Sequence, residues 1–225
     1  MAVWCEDIKI LYSLCPRTGS TATACTLIEA CGGLWLPSED ILDESCNYLV
    51  QRKHSTFNEI LQHGLIDLDK FYSAHRLVTV RNPFDSVFSL WYKKKTTYTK
   101  LVDDKSSFIH RIPGFSDDIE FIQSNDFSTW FLLKYSKAAD EGRQVGVNKK
   151  WVHNSTSILK FETLQKEFEE FLSNVLRYPE KVTIPVINKT ENKPSDYRNY
   201  YSSDAIDVGL NVFKWELDKF GYTFE

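Results

Sequence analysis

The feature that most constrains the fold is a repeated alternation of short apolar runs with loops and helix-like segments. The runs 8–14, 77–80 and 157–161 have the length and apolar content of buried strands, and each is followed by a turn and a helical pattern. Such a repeat is typical of a parallel sheet covered by helices. We therefore predict an α/β fold with a central parallel β-sheet flanked by helices, and a ligand site at the carboxyl ends of the strands.

Length and charge narrow the possible classes of protein. The 225 residues suit one domain, so we predict a single domain over 1–225. The net charge is −4, whereas proteins that bind the nucleic-acid backbone usually have a basic excess. We expect no nucleic-acid partner, and any anion site must be local. The oligomeric state is left open.

The chain shows no apolar run of the length that a signal peptide or a membrane span needs. We expect no membrane partner and a cytoplasmic location, where the sequons at Asn154 and Asn188 would carry no glycan. The cysteines are odd in number, lack a Cys-x-x-Cys pair and predict reduced thiols without a metal site. They are Cys5, Cys15, Cys25, Cys31 and Cys46.

The first motif lies between the first predicted strand and its helix and reads Pro16-Arg17-Thr18-Gly19-Ser20-Thr21. A glycine there lets the backbone approach an anion, and amides at the helix start point at it. Arg17 adds a fixed charge, and Ser20 and Thr21 add hydroxyl donors. The segment lacks the second glycine and the lysine of a Walker A loop. A turn that only caps the helix is the alternative.

The second motif begins with Arg81 at the end of the second predicted strand, and Pro83 then suits the first turn of a helix. Ser89 follows about two helical turns later, so Arg81 and Ser89 could converge on one phosphate. Alternatively, Arg81 pairs with Asp85 and Ser89 is an ordinary helix-surface hydroxyl.

Together, the two motifs resemble those of the sulfotransferases that use 3′-phosphoadenosine-5′-phosphosulfate (PAPS). In that family, a loop like 16–21 binds the 5′-phosphosulfate, and a motif like 81–85 with a later serine binds the 3′-phosphate. Segments 159–164 and 188–222 resemble the family's later strand and C-terminal region. Lys53-His54-Ser55-Thr56 resembles the carbohydrate sulfotransferase branch, and the chain is similar to its soluble bacterial or viral type.

The resemblance implies a P-loop-like sulfotransferase fold and in-line transfer of a sulfuryl group from PAPS to a carbohydrate hydroxyl. The product would be adenosine 3′,5′-bisphosphate, and no metal would be needed. Arg17 would act on the oxygens where charge grows. The other implied nucleotide-binding residues are Thr18, Gly19, Ser20, Thr21, Arg81, Ser89, Tyr197 and Arg198.

An acceptor hydroxyl needs a base, and His54 is the candidate because imidazole titrates near neutral pH. Glu59, which fits a capping box with Thr56, is the second candidate. Lys93-Lys94-Lys95 would favour an acidic acceptor if these side chains line the acceptor cleft.

Two other functions stay open. A P-loop-type nucleotide or small-molecule kinase is disfavoured because the Lys-Ser/Thr pair and a clear acid for Mg²⁺ are missing. A non-catalytic nucleotide- or glycan-binding module is disfavoured because Arg17 and His54 are both present.

Overall fold

The computed structural model describes residues 2–45, 48–178, 181–187, 190 and 192–225. Cys46 and Asn188 lie outside these residues. The strands are β1 (Ala2–Cys5), β2 (Ile10–Ser13), β3 (Leu34–Leu36), β4 (Ile41–Leu42), β5 (Tyr48–Val50), β6 (His75–Val80) and β7 (Ser157–Lys160).

The helices, in chain order, are α1 (Ser20–Cys31), α2 (Phe57–Gln62), α3 (Leu68–Ser73), α4 (Pro83–Thr96), α5 (Phe115–Ser124), α6 (Phe127–Asp140), α7 (Lys149–Val152), α8 (Leu164–Glu170), α9 (Ser203–Val212) and α10 (Lys214–Phe220). Short 3₁₀ segments occur at Tyr98–Leu101, Phe108–Arg111, Phe161–Thr163 and Arg198–Tyr200, and a π-helical turn at Phe171–Val175. Among the residues described, no helix combines the length and the apolar character needed to cross a bilayer.

The central sheet has five strands in the order β3-β1-β2-β6-β7. β2, β6 and β7 are parallel neighbours, which confirms the α/β prediction for these strands. β1 is antiparallel to both β2 and β3, so the sheet is mixed and the prediction of a wholly parallel sheet is wrong. The reason is the tight turn between β1 and β2, where the Lys9 amide donates to the Glu6 carbonyl at 3.3 Å; so short a connection can only join antiparallel strands.

Most helix predictions are confirmed, with two differences. α1 ends at Gly32, which takes the expected left-handed conformation, and Thr56 and Glu59 form the predicted capping box at the start of α2. Apolar residues at 206, 210, 213 and 217 predict one amphipathic helix over 205–220, but this segment breaks at Phe213 into α9 and α10. The sequence also predicts one helix from about 163 to 176, and there the geometry changes from α to π after Glu170.

Internal contacts divide the chain into two compact units. The first, Met1–Arg81 and Asn148–Lys189, contains the sheet. Side chains from α1 and α8 pack against its strands around a core that includes Tyr12, Leu27 and Phe168.

The second unit, Asn82–Val147 and Thr190–Glu225, is helical in its described residues. Its core is strongly aromatic, and the Phe84 ring makes edge-to-face contacts with Tyr201 and Phe213. Aromatic residues make up 14% of the sequence, and many of them pack in this core.

Candidate functional site

The first motif forms a tight loop between the carboxyl end of β2 and the start of α1. Gly19 precedes the helix with φ 73°, and a Cβ there would lie 3.1 Å from Leu164 Cδ2 and 3.2 Å from Phe161 Cδ2. Backbone conformation therefore favours glycine, and a Cβ would press on the side chains of Leu164 and Phe161. Arg17 is also left-handed, with φ 66°, a conformation that costs a non-glycine residue about 1–3 kcal/mol and is often retained at functional sites.

The hydroxyls of this loop mostly hold the loop itself. Thr18 and Ser20 are buried, and both donate to the Cys15 carbonyl, at 2.8 and 2.7 Å. Both hydroxyls thus hold the loop in this structure, and donation from Ser20 to an anion stays a prediction. The loop can instead offer backbone amides at the start of α1 and the partly exposed Thr21.

Arg81 directly follows β6, the parallel neighbour of β2. Its Nη1 donates to the Arg17 carbonyl at 2.7 Å, and its guanidinium lies 4.2 Å from the centroid of the Phe161 ring. The side chain is only 7% exposed. Arg81 therefore holds the backbone of the first motif, whereas its contact with a 3′-phosphate stays a prediction.

His54 is fixed beside the end of β2. Its Nδ1 lies 2.8 Å from the Leu14 carbonyl, and because a carbonyl only accepts, Nδ1 carries the proton and Nε2 keeps a lone pair. Trp151 Nε1 donates to the His54 carbonyl at 3.3 Å, and Ser13 Oγ donates to the next carbonyl, that of Ser55, at 2.8 Å. His54 has φ 78°, so both predicted catalytic residues have strained backbones.

The sequence suggests that His54 titrates near neutral pH, but its pKa in the folded protein is lower. The pKa of its imidazole is lowered to about 3. Burial is the largest cause, the hydrogen bond to Leu14 opposes it, and Lys53 and Lys150 add to the lowering. The imidazole is therefore neutral at physiological pH and can accept a proton only on Nε2. A bound anion beside it would raise its pKa and make it a better base.

Two groups considered for catalysis or acceptor binding are engaged elsewhere. Glu59 Oε2 accepts from the amide and the hydroxyl of Thr56, at 2.7 and 2.9 Å, as a capping residue. Lys94 is buried in an ion pair with Asp118, which also accepts from Trp130 Nε1 at 2.6 Å. Lys94, the central residue of the run 93–95, is thus part of a core.

The remaining predicted nucleotide-binding residues lie in the second unit. Ser89 is buried in α4. The Tyr197 hydroxyl and Arg198 Nε both donate to the Phe224 carbonyl, at 3.3 and 2.9 Å. Asp85 of the second motif accepts from Lys193 at 2.6 Å. These contacts stabilise the second unit, and the nucleotide-binding roles of Ser89, Tyr197 and Arg198 stay predictions.

The structure adds Asn148, which no sequence motif contains, and a role for Phe161 of the segment 159–164. Asn148 is fully buried; its Nδ2 donates to the Arg81 carbonyl at 3.1 Å, and its Oδ1 accepts from Cys15 Sγ at 3.4 Å. No local pattern marks it, because its partners are far away in sequence. Phe161 follows β7 directly, so its place at a strand end was a usable signal.

The first unit thus brings together the 16–21 loop, His54 and Arg81 at one edge of the parallel strands. No group of three or more His, Cys, Asp or Glu side chains that could hold a metal ion occurs in the described part of the chain. Comparison of this chain with protein-family models, with curated proteins and with solved structures finds no match.

Proposed function

We propose that this chain is a PAPS-dependent sulfotransferase with a P-loop-like sulfotransferase fold, and that it transfers a sulfuryl group to a hydroxyl of a carbohydrate acceptor. One observation carries the proposal. The left-handed Arg17 and Gly19 shape a loop between β2 and α1, and Arg81 from the adjacent parallel strand bonds to that loop. This arrangement suits a phosphate or sulfate group at the start of a helix.

Local charge supports an anionic ligand although the whole chain is negative. Lys53 and Lys150 both act on the His54 imidazole, and Arg17 lies in the loop directly after Leu14, to which His54 bonds. These cations attract an anion at short range even when the net charge is −4.

The proposed reaction is an in-line displacement at sulfur. The acceptor oxygen forms a bond to sulfur while the bond from sulfur to the bridging phosphate oxygen breaks, and adenosine 3′,5′-bisphosphate leaves with that bond's electron pair. His54 Nε2 takes the hydroxyl proton, because Nδ1–H is engaged with Leu14. Arg17 stabilises the charge that grows on the leaving oxygen, in analogy with phosphoryl transfer.

The first test is nucleotide binding without Mg²⁺. At a ligand concentration 100 times Kd, adenosine 3′,5′-bisphosphate should stabilise the protein by about 2.7 kcal/mol, seen as a higher Tm. Arg177→Ala, which changes an exposed arginine in the first unit, is the control and should show the same shift. Stabilisation by ATP with Mg²⁺ but not by the bisphosphate would favour a kinase instead.

The second test is transfer of labelled sulfate from PAPS to a panel of oligosaccharides. Label on an acceptor hydroxyl, lost in Arg17→Ala, is the expected result. Nucleotide binding without transfer to any saccharide or other hydroxyl acceptor would indicate a binding module.

A further inference from the structure

Asn148 is placed where it can control the geometry of the candidate site without reaching a ligand. It precedes the four-residue helix α7 and is fully buried, although a buried amide is costly unless its groups are hydrogen-bonded. Its partners are the Arg81 carbonyl and the Cys15 thiol. The amide therefore links the end of β6 to the loop that follows β2.

The orientation of the Asn148 amide follows from chemistry. The Arg81 carbonyl can only accept, so the NH₂ group must face it. Oδ1 then faces Cys15 Sγ, whose S–H donates. One end of the side chain is needed as a donor and the other as an acceptor, and asparagine supplies both at this length.

Together with the backbone from Cys15 to Arg17, these bonds form a closed ring. Arg81 donates to the Arg17 carbonyl, Asn148 donates to the Arg81 carbonyl, and Cys15 donates to Asn148. The Cys15 carbonyl in turn accepts hydrogen bonds from two of the loop's hydroxyls, those of Thr18 and Ser20. A shift of Asn148 would therefore be transmitted to both arginines.

We propose that Asn148 is a positioning residue of the anion site, which sets the distance between the Arg17 loop and the Arg81 backbone. The proposal rests on the proposed function for its ligand, adenosine 3′,5′-bisphosphate. It also has a consequence without ligand, because the 15–21 backbone should be less protected when the donor to Arg81 is lost.

The test variant is Asn148→Asp, which keeps the shape and the acceptor for Cys15 but, when ionised, places a carboxylate against the Arg81 carbonyl. At pH 7.5 we expect nucleotide Kd to rise about 10-fold or more and amide hydrogen exchange at 15–21 to accelerate in the ligand-free protein. Asn174→Asp, which adds the same charge at an exposed site in the first unit, is the matched control and should change neither.

Protonation provides an internal rescue. A neutral carboxylic acid can donate to the Arg81 carbonyl and accept from Cys15, as the amide does. Burial raises the pKa of the new carboxyl, whereas the cations of Arg81 and of Lys149, the residue after position 148, oppose that rise. As pH falls from 7.5 to 5.5, the ratio of variant to wild-type Kd should fall toward 1.

A second variant avoids a buried charge. Cys15→Ala removes the bond to Asn148 Oδ1 and should raise Kd about 3-fold, whereas Cys15→Ser, whose hydroxyl can donate in place of the thiol, should not. A folded Asn148→Asp with wild-type exchange at 15–21 and wild-type Kd overturns the proposal, as does a Kd ratio that stays constant with pH. If the wild type binds no nucleotide, the proposed function fails, and the exchange measurement still decides whether Asn148 holds the loop.

Discussion

The Arg81 guanidinium donates a hydrogen bond of 2.7 Å to the backbone carbonyl of Arg17. Two arginines that the sequence suggests as separate ligand contacts are thereby one structural unit, with Arg81 supporting the loop in which Arg17 stands. The exposed fraction of Arg81 is only 7%. Replacing Arg81 should therefore lower the free energy of unfolding even in the protein without ligand.

We predict that Arg81→Lys lowers the free energy of unfolding by about 1–3 kcal/mol, because a lysine cannot reproduce the planar contact with Phe161 or the geometry of the guanidinium bond to the Arg17 carbonyl. Urea denaturation without ligand measures this. Arg52→Lys, at an exposed arginine 6.0 Å from the Trp35 ring centroid, is the control and should cost less. Equal midpoints for Arg81→Lys and wild type would show that the contact with Arg17 contributes nothing.

Arg17→Gly separates stability from turnover. Glycine adopts φ 66° without strain, so the free energy of unfolding should rise by up to about 1 kcal/mol. The proposed contact with the leaving oxygen is lost, and kcat should fall about 10²–10³-fold. Arg177→Gly, at an exposed arginine with φ 53°, should gain stability without losing kcat. Turnover that survives in Arg17→Gly would remove Arg17 from the reaction.

His54→Gln should lower kcat about 10²–10⁴-fold and leave the affinity for adenosine 3′,5′-bisphosphate unchanged, because glutamine can hydrogen-bond but cannot take the proton. In the wild type, the acidic limb of kcat should lie at higher pH than the acidic limb of kcat/KM. The reason is that the pKa of His54 is held near 3 in the unliganded protein and rises beside bound phosphosulfate. A glutamine variant with most of its activity would place the base elsewhere.

Burial of neutral His54 also makes stability depend on pH. Above pH 6.5 the imidazole is neutral in both the folded and the unfolded chain. Below pH 6.5, the unfolded chain binds a proton on this histidine, whereas the folded protein binds it only at about pH 3. The free energy of unfolding therefore falls as pH falls through this window. Between pH 7.5 and 5.5 the loss should be about 1.4 kcal/mol, measured by urea denaturation. The same loss in His54→Gln would assign it to other groups.

The sequence predicts well what is encoded locally. The loop with Gly19, the capping box of Thr56 and Glu59 and the proline that starts α4 each depend on neighbouring residues, and all three are found. The parallel pairing of β2, β6 and β7 follows from their long crossover connections.

What the sequence does not reveal depends on contacts between distant segments. β1 is short, and no local pattern marks it as a strand; only its pairing with β2 and β3 shows that it is one. The burial that lowers the pKa of His54 and the bonds of Asn148 to Cys15 and Arg81 arise only in the folded chain. The hydrogen bond that the Ser20 hydroxyl donates to the Cys15 carbonyl is likewise seen only in the folded loop.

The bond between the Asn148 side chain and the Arg81 carbonyl also has a consequence for chain topology. Arg81 and Asn148 are the two points at which the chain leaves and re-enters the first unit, and the segment Asn82–Val147 runs between them. That segment is an excursion whose ends meet at one hydrogen bond of 3.1 Å. Closing a flexible loop costs only about 0.6 kcal/mol more for each doubling of its length. Changes of length in the connection between α4 and α5, outside the helices of this segment, should therefore cost the sheet and its anion loop little, provided that the bond at the base is kept.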